Sequence, residues 1–335
     1  MTRKERAVAV MGGETPDKLP FMPITMMFAA DLIGVPYKRY ATEAPLMAEG
    51  QLRVAEECGA AQVSGISDPG VEAFDLGADV GFPEDAPPCI IEDNALLADK
   101  AKLLDLKFIK PEEGKRMSNR TEAVRLMKEQ TGEDLLIEGW VEGPSAEASD
   151  LRGINHLMMD FFDDGVFVGD LMDFITEQEI AFAQAQIEAG ADIIGLGDAA
   201  SSLIGPDFYR EFALPRTKRI VDAIHEAGAL VRLHICGKTQ QLAEDWTELN
   251  VDMIDIDYGN SMAAVRAALG PEGAALAGNL DPVREVKDSR PSAIRALVEK
   301  CRQESQPRYI VGAGCEIPRG TPRENLLAML ESAES

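Results

Sequence analysis

The residues best equipped for chemistry lie in ALVRLHICGK (229–238), where His234 and Cys236 follow an apolar run that breaks at Gly237. The chain has three histidines and five cysteines. Residues i and i+2 of an extended segment point to one side, so this imidazole and this thiol face the same space. A second thiol, Cys315, closes another apolar run, RYIVGAGC (308–315), whose glycines let the backbone turn closely. One imidazole and two thiolates form a common zinc set that leaves a fourth position open for substrate. The same spacing also suits a packed cysteine beside a hydrogen-bonded histidine, and a lone His-x-Cys pair does not separate the two. Cys58 and Cys301 fall in helix-like stretches as packing residues, and Cys89 sits in a loop after Pro-Pro. Five scattered cysteines form no disulfide framework.

Strand-like runs recur at 19–25, 61–68, 134–143, 191–198, 229–236, 251–258, 274–281 and 308–315. Helical periodicity separates them, as in 205–228 and 321–335. This alternation predicts an α/β fold, a (β/α)8 TIM barrel in which active residues gather at the C-terminal ends of the strands. A doubly wound sheet is the competing architecture, but no GxGxxG loop follows the first strand. The whole chain, 1–335, reads as a single domain with an insertion around 81–133 over the barrel mouth. The strand ends supply a polar ring: Asp68, Glu138, Glu142, Asp198, His234, Cys236, Asp255, Asp257, Asn279, Asp281 and Cys315. Some of these must cap helices or satisfy loop amides. Glu142, Asp198 and Asp257 are the candidate catalytic carboxyls.

Composition narrows the partners. A net charge of −25 over 335 residues disfavours nucleic acid and anionic membranes. The apolar runs are too short for a membrane span, and the first twenty residues lack a signal-peptide core. The expectation is a cytoplasmic protein acting on small molecules.

Wider motifs carry a resemblance. HICGK, AGNLDPV, GAGCEIPRGTPRENLLAM, ISDPGVEAFDLGADVGFPEDAPP and GWVEGPSAEASDLRGI are similar to the uroporphyrinogen decarboxylase superfamily. The match is nearest its corrinoid-linked zinc methyltransferase branch and covers nearly the whole chain. The resemblance implies a barrel with Zn2+ held by His234, Cys236 and Cys315. Related zinc methyltransferases often offer a glutamate at the end of strand six; here the matching segment is DIDYG, which makes Asp257 the candidate fourth ligand with a shorter side chain. The true decarboxylases carry arginines after the first strand, whereas FMPITMMFAADLIGVP has none before Arg39.

The resemblance implies transfer of a methyl group between a small substrate and cobalamin. The chain shows no DxHxxG-type cobalamin signature, so the cobalamin is expected on a separate corrinoid protein. The small partner is a methyl donor, expected to be a methoxylated aromatic undergoing O-demethylation, or a thiol acceptor in the alternative reading. FMPITMMFAA can wall an aromatic pocket, although such a stretch also serves as core. A non-catalytic zinc-binding barrel is the reading from a different class. Turnover that depends on substrate separates it from an enzyme.

Overall fold

The computed structural model describes residues 1–334. Seven strands form one parallel sheet in chain order: β1 (Gln62–Ser64), then β4 (Leu136–Glu142), β5 (Ile193–Gly197), β6 (Leu230–His234), β7 (Met253–Ile256), β8 (Ala275–Leu280) and β9 (Tyr309–Ala313). β2 (Val80–Gly81) and β3 (Cys89–Ile90) pair separately as a short antiparallel hairpin. Helices fill the crossovers, except between β6 and β7, where two 3-10 turns, Gln240–Leu242 and Asp245–Glu248, make the connection.

The first expected strand, 19–25, contributes a single bridge between Phe21 and Val311 instead. Pro20 and Pro23 lack the N–H groups that a longer ladder needs. The segment still touches both edges of the sheet. Val311 donates to the Pro20 carbonyl and Met22 donates to the Val311 carbonyl, each at 2.9 Å; Ala61, ahead of β1, donates to the Phe21 carbonyl at 2.8 Å. The sheet therefore curls until β1 and β9 reach the same short stretch of chain.

Alternation along each strand separates two environments. Ile137, Val141, Val231, Leu233, Ile254 and Ile256 belong to the large apolar core that includes the helices. Leu136, Ile193, Met253, Ala275 and Ile310 meet Val10 and Met11 of the helix Arg3–Met11, which plugs the N-terminal end of the curled sheet. Above that floor the interior turns ionic. Arg232 is 1 % exposed and pairs with Asp255 at 2.7 Å and Glu138 at 3.1 Å.

Only part of the expected insertion departs from the helix–strand alternation. The hairpin and the 3-10 turns Glu92–Asn94 and Lys100–Asp105 precede a long helix, Lys115–Thr131, that packs on β4 and the helix Ala44–Cys58 as an ordinary crossover helix. The hairpin turn reaches the loop after β9, where Arg319 donates to the Asp85 carbonyl at 2.8 Å. No helix among the described residues is long and apolar enough to cross a membrane.

Candidate functional site at the strand ends

Register brings the chemistry to one level. Glu142 lies beside Gly197, Gly197 beside His234, and His234 beside Asp255, across four adjacent strands. Gly197 keeps this row open: a Cβ there would stand 3.1 Å from Trp140 Nε1 and 3.3 Å from Glu142 Oε1. One level below, Trp140 fills the space over Gly195, where a Cβ would lie 2.1 Å from the indole ring.

β6 ends at His234, so Cys236 stands two residues beyond it, and Cys315 stands two beyond β9. The chain nevertheless keeps the expected direction. His234 Nε2 lies 3.0 Å from the Cys236 sulfur and 3.7 Å from the Cys315 sulfur, and the two sulfurs are 3.7 Å apart. These are the only three side chains of the described residues whose donor atoms converge closely enough to share a metal ion, within 4.8 Å of one another. Gly314 permits the approach, because a Cβ there would fall 2.5 Å from the Tyr258 nitrogen. His234 Nδ1 sits 3.0 Å from an Asp255 carboxylate oxygen. That contact fixes the tautomer which directs Nε2 at the thiols, the usual support for a metal-binding imidazole. The donor set and its support fit zinc.

The two thiols are hydrogen-bonded to each other. The hydrogen bond from Cys236 pulls the Cys315 thiol down to about 4 and holds the Cys236 thiol above its ordinary value, with burial adding to the latter. Burial opposes charge on His234, but the Cys236 sulfur and the Asp255 hydrogen bond overcome it and raise its pKa. Burial likewise opposes charge on Asp255, yet Arg232 and His234 outweigh it and hold the carboxyl at about 2. The centre is thus preset with negative charge facing positive charge.

A cavity of about 170 Å³, open to solvent, lies against this centre. Ile24, Met26, Ile66 and Trp140 form its apolar wall, and Asp68, Glu142, Asp198 and Glu316 its acidic rim. The stretch 21–30 divides accordingly: Ile24 and Met26 face the cavity, whereas Phe21, Met22 and Phe28 are core.

The expected carboxyls differ in availability. Glu142 accepts a hydrogen bond from Trp140 Nε1 at 3.1 Å. Burial first, and then the charge of Glu72, push its pKa well above the ordinary carboxyl value. Asp198 faces the cavity with both oxygens engaged, one by the Ala146 amide at 2.7 Å and the other by Ser201 Oγ at 2.6 Å. Burial raises it to about 6. Asp257 accepts the Gly237 amide at 2.6 Å and the Tyr258 amide at 2.7 Å, and it lies outside the three converging donors.

Sequence reading left three participants without a role. Asp255 orients His234, and its place two residues before Asp257 was the available signal. Trp140 was concealed inside a strand. Glu316, next to Cys315, accepts the Met27 amide at 2.8 Å and is raised by burial to about 7.

The comparisons agree with this geometry. The family model described as uroporphyrinogen decarboxylase (URO-D) matches residues 2–335. A methylcobamide:CoM methyltransferase, MtbA, of Methanosarcina mazei is 31% identical over 272 residues, covering 79% of this chain and 76% of the relative. The methylcobamide:CoM methyltransferase MtaA of Methanosarcina barkeri is 25% identical over 355 residues, covering 99% and 98%. A solved methyltransferase from Methanosarcina mazei superposes with a TM-score of 0.85 at 25% identity, over 99% of this chain and 98% of that one. The chain belongs to the uroporphyrinogen decarboxylase family and is an enzyme of its corrinoid-dependent methyltransferase branch.

Proposed function

We propose that the enzyme removes the methyl group of a small methoxylated aromatic and passes it to the cobalamin of a separate corrinoid protein, with zinc held by His234, Cys236 and Cys315. The observation that carries this reading is the three-donor centre set against a cavity with an apolar wall and an acidic rim. His234, Cys236 and Cys315 would hold the zinc, which when bound would supply a Lewis acid for an ether oxygen or, in the alternative chemistry, for a thiol. Ile24, Met26, Ile66 and Trp140 orient an aromatic ring and exclude water from it. Glu142 holds a proton where the departing phenolate oxygen needs one. Asp198, fixed by Ala146 and Ser201, keeps the cavity wall in place. Asp257 holds the Cys236 loop through the Gly237 amide, and it supplies a fourth zinc ligand only by releasing one of its amide hydrogen bonds.

Eight-stranded closure through the Phe21 segment belongs to the same reading, as does a single cytoplasmic domain. The hairpin region of 81–133 then borders the mouth, where the corrinoid protein docks. The names of the two relatives favour a second reading, methyl transfer from a methylated corrinoid to a thiol. The cavity favours the first: no lysine or arginine is among its lining residues to pair with the charge of an anionic thiol, whereas Ile24, Met26, Ile66 and Trp140 suit a ring.

The test follows the cobalt spectrum. Methoxyaromatics with Co(I) corrinoid protein should yield methyl-cobalt only when enzyme is present. Consumption of methyl-cobalt on adding a thiol, with no reaction from any methoxyaromatic, would replace the first reading with the second.

A further inference from the structure

Four elements converge on a second pocket, of about 370 Å³, which the proposed chemistry does not use. The helix Tyr37–Thr42 supplies Lys38, and the helix Val71–Leu76 supplies Phe74. Phe82 follows β2 in the hairpin, and Lys115 and Arg116 open the helix Lys115–Thr131. The volume falls within the range of small-ligand sites, about 300–1,000 Å³.

A helix cap assembles the pocket. Gly114 has no side chain to cap the helix Lys115–Thr131, and a Cβ there would stand 2.4 Å from Asp75 Oδ2. Asp75 takes over the cap: it accepts the amides of Lys115 at 2.8 Å, Arg116 at 2.9 Å and Met117 at 2.8 Å. Phe74 precedes Asp75, so the cap brings its ring to the same helix end, and Lys115 Nζ lies 5.9 Å from the ring centroid. The hairpin is fastened to the helix Tyr37–Thr42, where the Lys38 amide donates to the Glu84 carbonyl at 3.1 Å. It carries the Phe82 ring to 5.5 Å from that of Phe74, with the planes perpendicular, and to 5.3 Å from Arg116 Cζ.

The charge here runs against the rest of the chain. Aspartate and glutamate outnumber lysine and arginine by 58 to 33, yet none of the acids lines this pocket. Lys38 and Lys115 form no ion pair with a described residue. The acids nearby in sequence are spent elsewhere: Glu43 pairs with Arg39, Asp85 pairs with Arg319, and Asp75 holds its amides. Arg116 is 4 % exposed. Its two Nη atoms bond Asp68, the Ala41 carbonyl and Ser67 Oγ, whereas Nε has no acceptor among the described residues. Two free ammonium groups and one unused guanidinium N–H thus meet two aromatic rings.

We propose that this pocket is a second ligand site, which takes a small aromatic carboxylate with its charge on Lys38, Lys115 and Arg116 and its ring against Phe74 and Phe82. The perpendicular phenylalanines let a flat ligand stack on one ring and meet the other edge to face. A carboxylate supplies the acceptors that the three cations lack. A single negative charge also limits the repulsion from a chain of net charge −25. The site is independent of the methyltransferase reading.

Arg116 is its link to the cavity beside His234. Asp68 lines that cavity and holds Arg116 with both oxygens, at 2.8 and 2.7 Å. A ligand carboxylate and Asp68 draw on one guanidinium, so each weakens the hold of the other. Removing the Asp68 charge must then strengthen ligand binding.

The test is calorimetry of the zinc-loaded enzyme with 2-naphthoate and with its neutral isostere, 2-naphthamide. Naphthoate should bind at least about tenfold more tightly than the amide, the worth of charge-assisted hydrogen bonds. Lys38→Gln combined with Lys115→Gln should remove that advantage and leave the amide unchanged. Phe82→Leu should weaken both compounds by about threefold, and Asp68→Asn should tighten naphthoate by about threefold. Both lysines are exposed, so their double variant carries the test if Asp68→Asn does not fold. Cys236→Ser should bind naphthoate as the parent does. Binding that survives the double lysine variant but disappears in Cys236→Ser places the ligand in the cavity beside His234 and overturns the second site. Equal binding of acid and amide by the parent, or no binding of naphthoate at millimolar concentration, overturns it as well.

Discussion

β4 carries members of two buried acid groups that solve the same electrostatic problem in opposite ways. Glu138 points into the ionic layer, where Arg232 bridges it to Asp255 and Asp255 in turn holds His234. Four residues along the same face, Glu142 borders the group of Glu72, Glu147, Asp150 and Glu179, which contains no cation. The first group keeps its charge because its partner is buried with it; the second is held neutral by burial. Burying an unpaired charge costs far more than burying a paired one. The difference has a consequence for order: the fixed charge of Asp255 holds the His234 ring through Nδ1, whereas a neutral unpaired carboxyl holds nothing in place.

Arg232→Met breaks the first half of that comparison most severely. It strands Glu138 and Asp255 in the interior, and the expected loss of unfolding free energy is about 3–5 kcal/mol. Denaturant titration at pH 7 measures it, and a loss below about 1 kcal/mol would show that the two acids neutralise themselves as the second group does. Cys236→Ser and Cys315→Ser come next. The parent should carry about one zinc per chain, as one three-residue ligand set implies, and each variant should lose it in elemental analysis. Full zinc in both would reject the assignment. Asp257→Asn should keep most of the metal, since both its oxygens hold backbone amides; zinc loss equal to that of the cysteine variants would make it a ligand.

Asp255→Asn separates orientation from stability. Arg232 retains Glu138, and His234 retains a hydrogen-bonding neighbour without the fixed charge. Zinc affinity should fall by roughly 10–100-fold, the usual cost of losing a carboxylate that supports a metal-bound histidine. Competition with a chelating dye reads it. Unchanged affinity would mean that the strand and its neighbours suffice to aim His234.

The two groups also differed in how far the sequence disclosed them. The three-donor cluster was legible because strand alternation places His234 and Cys236 together, and because strands end where helices begin. Seven strand-like runs correspond to the seven strands of the parallel sheet. The run at 19–25 had strand-like composition, but its prolines limited it to one bridge. The unpaired acids were hidden for a different reason. Glutamates on helices ordinarily face water, and only packing among three crossover helices buries these. A trace was present in the helix Gly165–Glu188, where Glu179 shares a stripe with the buried Ile175, Phe182 and Gln186, the spacing of one helical face. Glu72 and Glu147 sit in helices too short for the pattern to be decisive.

The smallest expected effect tests whether the second group is neutral because it is buried. Glu147 is fully buried, and burial followed by the charges of Glu72 and Asp150 raises its pKa well above the ordinary value. In the unfolded chain the same carboxyl titrates near about 4.3. Below that pH both states are protonated and the group has no effect on stability. As pH rises, the unfolded state ionises first and gains free energy that the folded state does not, so the parent loses stability until the folded carboxyl also ionises. Each unit of separation is worth about 1.4 kcal/mol. Glu147→Gln removes this penalty while keeping the shape, so the variant should gain at least about 1 kcal/mol on the parent between pH 5 and pH 8. Urea titrations at the two pH values measure the difference. A variant that instead loses stability relative to the parent as pH rises would show Glu147 ionised in the folded protein and paired with a cation, which would place the second group in the same class as the first.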